Sequence, residues 1–186
     1  MDEPENDDQR DAMVTDLSQC VRQLLVARER LARRFAVANA LSTTDFRALI
    51  HISESGARGS PLTAGGLRDL MNMSAGAATY VVDRLVATGQ VEREADPSDR
   101  RKVLLRPTPE GVRITGEFVA AVEERNRAAL SDVSMADLAT TQRVICNLID
   151  HIRAAEKTHV ITPVARSAAV CGREAEAEVG GAAPSS

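Results

Sequence analysis

The chain has 186 residues, 44% of them hydrophobic and 27% charged, which is enough apolar material for one buried core. No run of about 18 apolar residues is present, and the first residues are acidic where a secretory signal would be basic. We therefore expect a cytoplasmic protein without a membrane span. Three cysteines at wide spacings fit reduced thiols better than a disulfide framework.

Charge is unevenly distributed along the chain, whose net charge is −4. Residues 1–16 are strongly acidic, whereas residues 58–113 carry a small positive net charge with nine arginines and lysines. This asymmetry permits a nucleic-acid partner for the middle of the chain.

The N-terminal part predicts an arm followed by two helices. Residues 1–13 combine many acids with few apolar side chains, so we expect a disordered arm there. From Val14 apolar residues recur at three- and four-residue steps, which predicts an amphipathic helix to about Ala38. Cap-type residues at 42–45 predict a second helix that ends near Glu54.

Two short helices joined by a tight turn follow, which is the order of a helix-turn-helix unit. Thr63 is predicted to cap the first and Ser74 the second, which ends at Gly89. The apolar face of the second helix consists of Ala78, Val81, Val82 and Leu85. On this helix we expect a DNA-binding surface formed by Ser74, Gly76, Ala77, Thr79, Tyr80 and Arg84. Arg84, and Arg93 in the segment that follows, lie where they could contact phosphates.

A hairpin and two long helices complete the pattern. Residues 91–95 and 102–106 predict two short strands with a polar tip between them. Thr108 is predicted to cap a helix to about Leu130, and a last helix spans about 135–156. The tip residues that we expect to meet DNA are Asp99, Arg100, Arg101 and Lys102.

These elements predict a mainly α protein with a small β-wing. The winged helix-turn-helix lobe spans 58–107, and residues 14–57 and 108–157 form a helical dimerisation region. The dimer is expected because the first and last helices carry apolar stripes that one lobe cannot fully cover. The second short helix fits the width of the DNA major groove. We expect residues 158–186 to be a disordered tail.

The most specific motif lies between residues 62 and 113. It consists of Leu62-Thr63, Leu67, Met73-Ser74, Val82-Asp83-Arg84-Leu85, Gly89, Asp96 to Lys102, Leu105 to Thr108, and Gly111. This motif resembles the multiple-antibiotic-resistance regulator (MarR) family of winged-helix repressors. The family's wing pattern, an acid, any residue and an arginine, falls on Asp99 and Arg101. The resemblance implies that Arg101 enters the minor groove while Asp99 orients it.

The resemblance also implies a mechanism. A homodimer would grip a pseudo-palindromic operator on double-stranded DNA, and a small-molecule effector between its two parts would release it, without a cofactor. The sequence departs from the family at Tyr80, where a basic residue is common, and at Gly76 and Ala77, where hydroxyl side chains are usual. We therefore expect few direct base contacts and a large contribution from the arginines.

Two alternative functions remain. One is a thiol redox switch through Cys20, which lies two residues from the reactive cysteine of a peroxide-sensing branch of the family that it resembles. That branch pairs the thiol with tyrosines, and Tyr80 is the only tyrosine of this chain. We interpret Cys20 as an ordinary buried or half-buried residue and Cys146 as structural. The other alternative is a winged-helix module that binds proteins and not DNA. The sequence shows no phosphate loop, nucleophile motif or metal-ligand spacing, so we expect neither an enzyme nor a metal site.

Overall fold

The structure is a computed structural model that describes residues 3–99 and 101–158. Its elements in chain order are α1 (Glu3–Ala38), α2 (Thr43–Ala57), α3 (Ala64–Met71), α4 (Ala75–Ala87), β1 (Val91–Ala95), β2 (Val103–Pro107), α5 (Pro109–Ala129) and α6 (Met135–Thr158). The predicted mainly α class with a small β-wing is confirmed. The chain divides after Ser131 into two compact units, which are described separately.

The first helix begins earlier than the sequence pattern indicated. We predicted a disordered arm over residues 1–13, but α1 starts at Glu3, so the prediction was wrong for residues 3–13. This segment contains no glycine, and its single proline is the second residue of the helix, where a missing N–H costs nothing. Its acids lie near the positive end of the helix dipole. The predicted tail from residue 159 onward lies outside the described residues.

The core of the first unit forms around α2. Phe46, Leu49 and Ile52 of this helix are completely buried. Phe46 meets Phe35 of α1 and Phe118 of α5, with ring centroids 5.4 and 5.2 Å away. Since the chain has three phenylalanines, all of them lie in this cluster. Such aromatic pairs add about 1 kcal/mol each beyond the burial of their area.

The wing is a two-stranded antiparallel hairpin. Its register runs from Val91 opposite Pro107 to Ala95 opposite Val103, so β2 lies one residue later than predicted. The Leu105 N–H donates a hydrogen bond to the Leu62 carbonyl at 2.7 Å. The hairpin is thereby joined to the residues that precede α3.

The start of α5 approaches the end of the helix-turn-helix unit closely. A methyl group on Gly111 would lie 2.2 Å from the Gln90 carbonyl oxygen and 3.1 Å from Leu49 Cδ1. The Gly111 N–H donates to the Thr108 hydroxyl, which caps α5. Only glycine fits at this contact between α5 and the backbone that leads into β1.

We predict that Gly111→Ala lowers the free energy of unfolding by about 3 kcal/mol, because backbone atoms must separate to admit the methyl group. Urea unfolding followed by circular dichroism measures the change. Gly116→Ala on the same helix is the matched control, since nothing lies within 4 Å of a methyl group there. It should be neutral or stabilising by up to about 1 kcal/mol. Equal stability of the two variants would contradict the close approach.

Candidate functional site

Helix α4 has one buried and one exposed face, as the sequence predicted. Ala78, Val81, Val82 and Leu85 are buried, which confirms the predicted apolar face. Ser74 caps the helix, and its hydroxyl accepts a hydrogen bond from the Ala77 N–H at 3.2 Å. The predicted site residues on the exposed side are Ser74, Gly76, Ala77, Thr79 and Tyr80.

Most side chains on this exposed face are short. Nothing lies within 4 Å of the place that a side chain at Gly76 would occupy. The Thr79 hydroxyl donates to the Ala75 carbonyl at 3.0 Å, so its proton is already engaged. Tyr80, 64% exposed, is the one large side chain of the set. The face therefore offers methyl groups and a phenol, and few free hydrogen-bond donors.

The Arg84 guanidinium bonds other side chains of the same protein. It forms an ion pair with the Asp45 carboxylate and donates to the Ser42 hydroxyl at 2.7 Å. Hydrogen bonding to Asp45 raises the pKa of Arg84. The guanidinium carbon also lies 5.2 Å from the centroid of the Tyr80 ring. We predicted that Arg84 meets a phosphate, and the structure instead engages it with the start of α2.

The wing tip brings Asp99 and Arg101 together. One Asp99 carboxylate oxygen accepts hydrogen bonds from the Arg101 N–H at 3.1 Å and from its Nε at 3.3 Å. The Arg101 side chain is 92% exposed. Lys102 is exposed as well. Arg100, the fourth predicted tip residue, lies outside the described residues.

Asp96 and Ser98 shape this tip; both belong to the sequence motif, in which no role was assigned to them. The Asp96 carboxylate accepts hydrogen bonds from the Ser98 N–H at 2.8 Å and hydroxyl at 2.6 Å. These bonds lower the pKa of Asp96. The Asp-Pro-Ser sequence was the available signal, because aspartate commonly bonds the backbone two residues ahead in turns.

The wing and α4 are connected by an exposed ion pair. Arg93 of β1 pairs with Asp83 of α4 at 2.5 Å. We interpreted Arg93 as a residue that could meet a phosphate, and the structure pairs it internally. In the neighbouring strand Arg106 pairs with Glu94 at 2.7 Å. Both strand arginines are thus paired and partly covered, whereas the Arg101 side chain at the tip is almost fully exposed.

A second candidate site is an open groove of about 680 Å³ in the first unit. It is lined by side chains of α1, α2 and α5 and by the end of β2, among them Arg28, Ile50, Ser53, Pro107, Phe118 and Val119. The Ser53 hydroxyl is buried and has no hydrogen-bond partner within the described part of the chain. The groove is thus mostly apolar with one unsatisfied polar group.

The cysteines differ from expectation. Cys20 and Cys146 are both exposed free thiols. The prediction that Cys20 is buried or half-buried was therefore wrong. The structural role that we predicted for Cys146 was also wrong, because its thiol is exposed and packs in no core. The parts of α1 and α6 that surround them are exposed on nearly all sides, so the apolar spacing of the sequence does not correspond to a core contact there. Among the described helices, none is both long and apolar enough to cross a membrane.

Comparison with known proteins gives a family and a fold. Residues 41–102 match the model of the MarR family. A 72-residue stretch is 42% identical to an uncharacterised HTH-type transcriptional regulator, YcgE, of Bacillus subtilis, and covers 39% of this chain and 44% of that regulator. The chain spans about half the length of the curated relatives that it matches at 30% identity or more.

Solved structures share the architecture. A MarR family protein from Bacillus stearothermophilus superposes with a TM-score of 0.64 at 21% identity, over 77% of this chain and 97% of that one. A MarR family transcriptional regulator from Listeria monocytogenes, complexed with 26mer DNA, gives 0.56 at 16% identity, over 72% and 87%. Residues 41–102 thus match the MarR family in sequence, and the chain shares the fold of solved proteins of that family.

Proposed function

We propose that this protein is a transcriptional repressor that binds double-stranded DNA in the cytoplasm, with α4 in the major groove and the wing in the adjacent minor groove. The observation that carries the proposal is the geometry of the wing tip. There the Asp99 carboxylate accepts hydrogen bonds from the backbone N–H and the Nε of Arg101, whose side chain is 92% exposed. The MarR-type regulator complexed with DNA supports the same use of this fold. The proposed role requires no catalytic group.

Energy considerations assign the wing a large part of the binding. The exposed face of α4 offers few hydrogen-bond donors, so it can supply few bidentate base contacts. A narrow minor groove concentrates negative potential and attracts an inserted arginine. Asp99 restricts the Arg101 side chain before binding, which reduces the entropy lost when DNA orders it.

We predict that Arg101→Ala weakens DNA binding by about 1 to 3 kcal/mol per half-site, more than Thr79→Ala does. Asp99→Ala should give a smaller loss, because the charge remains while its orientation is lost. The salt dependence of Arg101→Ala should also be shallower, since one phosphate-proximal charge is gone. Fluorescence anisotropy with DNA from upstream of the protein's own gene, at several salt concentrations, measures all three variants.

Arg10→Ala is the control for this comparison. Arg10 is an exposed arginine of α1 that precedes the residues proposed for dimer contacts, so the variant loses the same charge away from the wing and should bind almost as wild type. If Arg101→Ala bound like the control while Thr79→Ala abolished binding, recognition would reside in α4 alone.

We further propose that the protein acts as a homodimer. In this proposal residues 58–107 form the DNA-binding lobe, and residues 14–57 and 108–157 supply the dimer contacts. In α6 the exposed side chains of Ile145, Leu148, Ile149 and Ile152 form one stripe at helical spacing. Within α1, the side chains that join the core lie between Leu31 and Ala36, whereas Leu17, Leu24 and Leu25 are exposed. A second copy of the chain would cover such stripes.

Sedimentation equilibrium at micromolar concentration should therefore return a dimer for the wild type. The double substitution Ile145→Glu and Ile149→Glu should shift it towards monomer, because burying two carboxylates in an apolar interface is costly. Asn147→Glu places a carboxylate on the opposite side of α6 and should leave the dimer intact. A monomeric wild type would contradict the proposal.

An effector site is proposed for the groove between α1, α2 and α5. Its volume of about 680 Å³ falls in the range of small-molecule sites. The apolar lining suits a hydrophobic body, while Ser53 and Arg28 suit a polar or anionic group. An effector there would lower DNA affinity if it bound one arrangement of the helices better than the other.

We predict that naphthalene-2-carboxylate, an apolar aromatic anion, raises the melting temperature of the wild type by binding this groove. Gly116→Leu should abolish that shift, because Gly116 lines the groove and a leucine would occupy it. Ala128→Leu adds the same side chain at an exposed position of α5 outside the groove lining and should keep the shift. An equal shift in both variants would place the ligand elsewhere.

A further inference from the structure

A polar cluster with one buried carboxylate joins α2 to α4. It consists of Ser42, the N-cap of α2, Asp45 in its first turn, and Arg84 on α4. The Asp45 side chain is 3% exposed and that of Arg84 is 37% exposed. The two residues are 39 positions apart in the chain, so their contact fixes how one helix lies against the other.

The same carboxylate has two roles in this cluster. One Asp45 oxygen accepts a hydrogen bond from the Ser42 N–H at 3.3 Å, and the Ser42 hydroxyl accepts one from the Asp45 N–H at 3.1 Å, which closes a capping box. That carboxylate oxygen also pairs with Arg84. Within the described residues the second Asp45 oxygen and the Arg84 Nε are buried without a hydrogen-bond partner. Loss of Arg84 would therefore leave the buried Asp45 carboxylate without its counter-charge.

The cluster continues to the exposed face of α4. The Arg84 guanidinium lies 5.2 Å from the Tyr80 ring centroid, a cation–π distance. Tyr80 is one helical turn before Arg84 and is the largest exposed side chain on the proposed DNA-binding face. Asp45, although buried and remote from that face, is therefore connected to it through a single side chain.

We propose that Asp45 is a positioning residue for DNA binding: through Arg84 it sets the orientation of α4 and of Tyr80, and Arg84 serves this contact and not a phosphate. The proposal rests on the proposed DNA-binding function. It reassigns Arg84 from the DNA surface to the support behind it. Asp45 itself does not touch DNA.

The sign of the effect separates this role from simple electrostatics. Replacing Asp45 by asparagine removes a negative charge from the protein, which alone would raise its affinity for a polyanion. Positioning predicts the opposite, a loss of affinity. The dependence of DNA affinity on salt concentration distinguishes the two roles of Arg84. If Arg84 contacts a phosphate, replacing it makes the plot of log affinity against log salt shallower. If it only positions α4, the slope stays unchanged.

The first test needs no DNA. The chain has one tyrosine and no tryptophan, so its intrinsic fluorescence comes from Tyr80 alone. In the free protein, Asp45→Asn should change the intensity of Tyr80 emission and lower its anisotropy, because Arg84 no longer holds a fixed place beside the ring. Asp83→Asn, which removes a 58% exposed carboxylate adjacent to Arg84, should leave both unchanged. Unchanged emission in Asp45→Asn, with the fold retained by circular dichroism, would overturn the connection to Tyr80.

The second test is a double-mutant cycle on DNA affinity. Asp45→Asn and Arg84→Gln should each weaken binding about tenfold with the wild-type salt slope, and the double variant should be no weaker than either single one. Arg84→Lys should stay impaired, because an ammonium cannot reproduce the guanidinium geometry. If Asp45→Asn fails to fold, the DNA affinity of Arg84→Lys tests the proposal in its place.

Two outcomes would overturn the proposal. One is wild-type or tighter binding by folded Asp45→Asn. The other is additive losses together with a salt slope shallower by about one for each Arg84→Gln subunit, which would make Arg84 a phosphate contact. If the wild type bound no DNA, the proposed function would fail, while the fluorescence test would still decide whether Asp45 holds Tyr80.

Discussion

The buried face of α2 is the contact on which the rest of the first unit depends. Phe46 lies between Phe35 and Phe118, so one side chain joins the end of α1, the first turn of α2 and the body of α5. Burying a phenylalanine of this kind contributes about 2 to 3 kcal/mol, a large share of the 5 to 15 kcal/mol by which a domain is stable. Leu49 of the same face also contacts the start of α5 at Gly111. The elements that we propose to face DNA therefore take their positions from an apolar core that is buried behind them.

The apolar core sets the approximate positions of the helices, and polar contacts between them then fix their orientation. Apolar packing is non-directional and tolerates small rotations of one helix on another. An ion pair with one buried partner, such as Arg84 with Asp45, has a defined geometry and is costly to break. By contrast, the pair between Arg93 and Asp83 is exposed on both sides and contributes at most about 1 kcal/mol. The orientation of α4 thus depends more on α2 behind it than on the wing beside it.

Local chemistry explains which parts of this structure were predictable. The faces of α4 follow from a 3.6-residue period, and the caps at Thr63, Ser74 and Thr108 follow from side chains that bond the first free N–H groups. The start of α1 was not predicted because many acids and few apolar side chains indicated disorder, although no residue of this segment after Pro4 opposes a helix. The partner of Arg84 could not be found, since Asp45 has a complete local explanation as a capping residue. Long-range pairing leaves no trace in a local pattern.

The internal pairing of arginines also determines the electrostatic character of the proposed interface. Arg84, Arg93 and Arg106 each have a carboxylate partner on a neighbouring element. A phosphate would have to compete with those carboxylates, so these cations add little to counterion release. Arg101 differs, because its contact with Asp99 is long and its side chain remains almost fully exposed. In the proposed function, a chain with a net charge of −4 would approach DNA through a narrow cationic tip, and its acidic remainder would limit binding to sites whose shape accepts that tip.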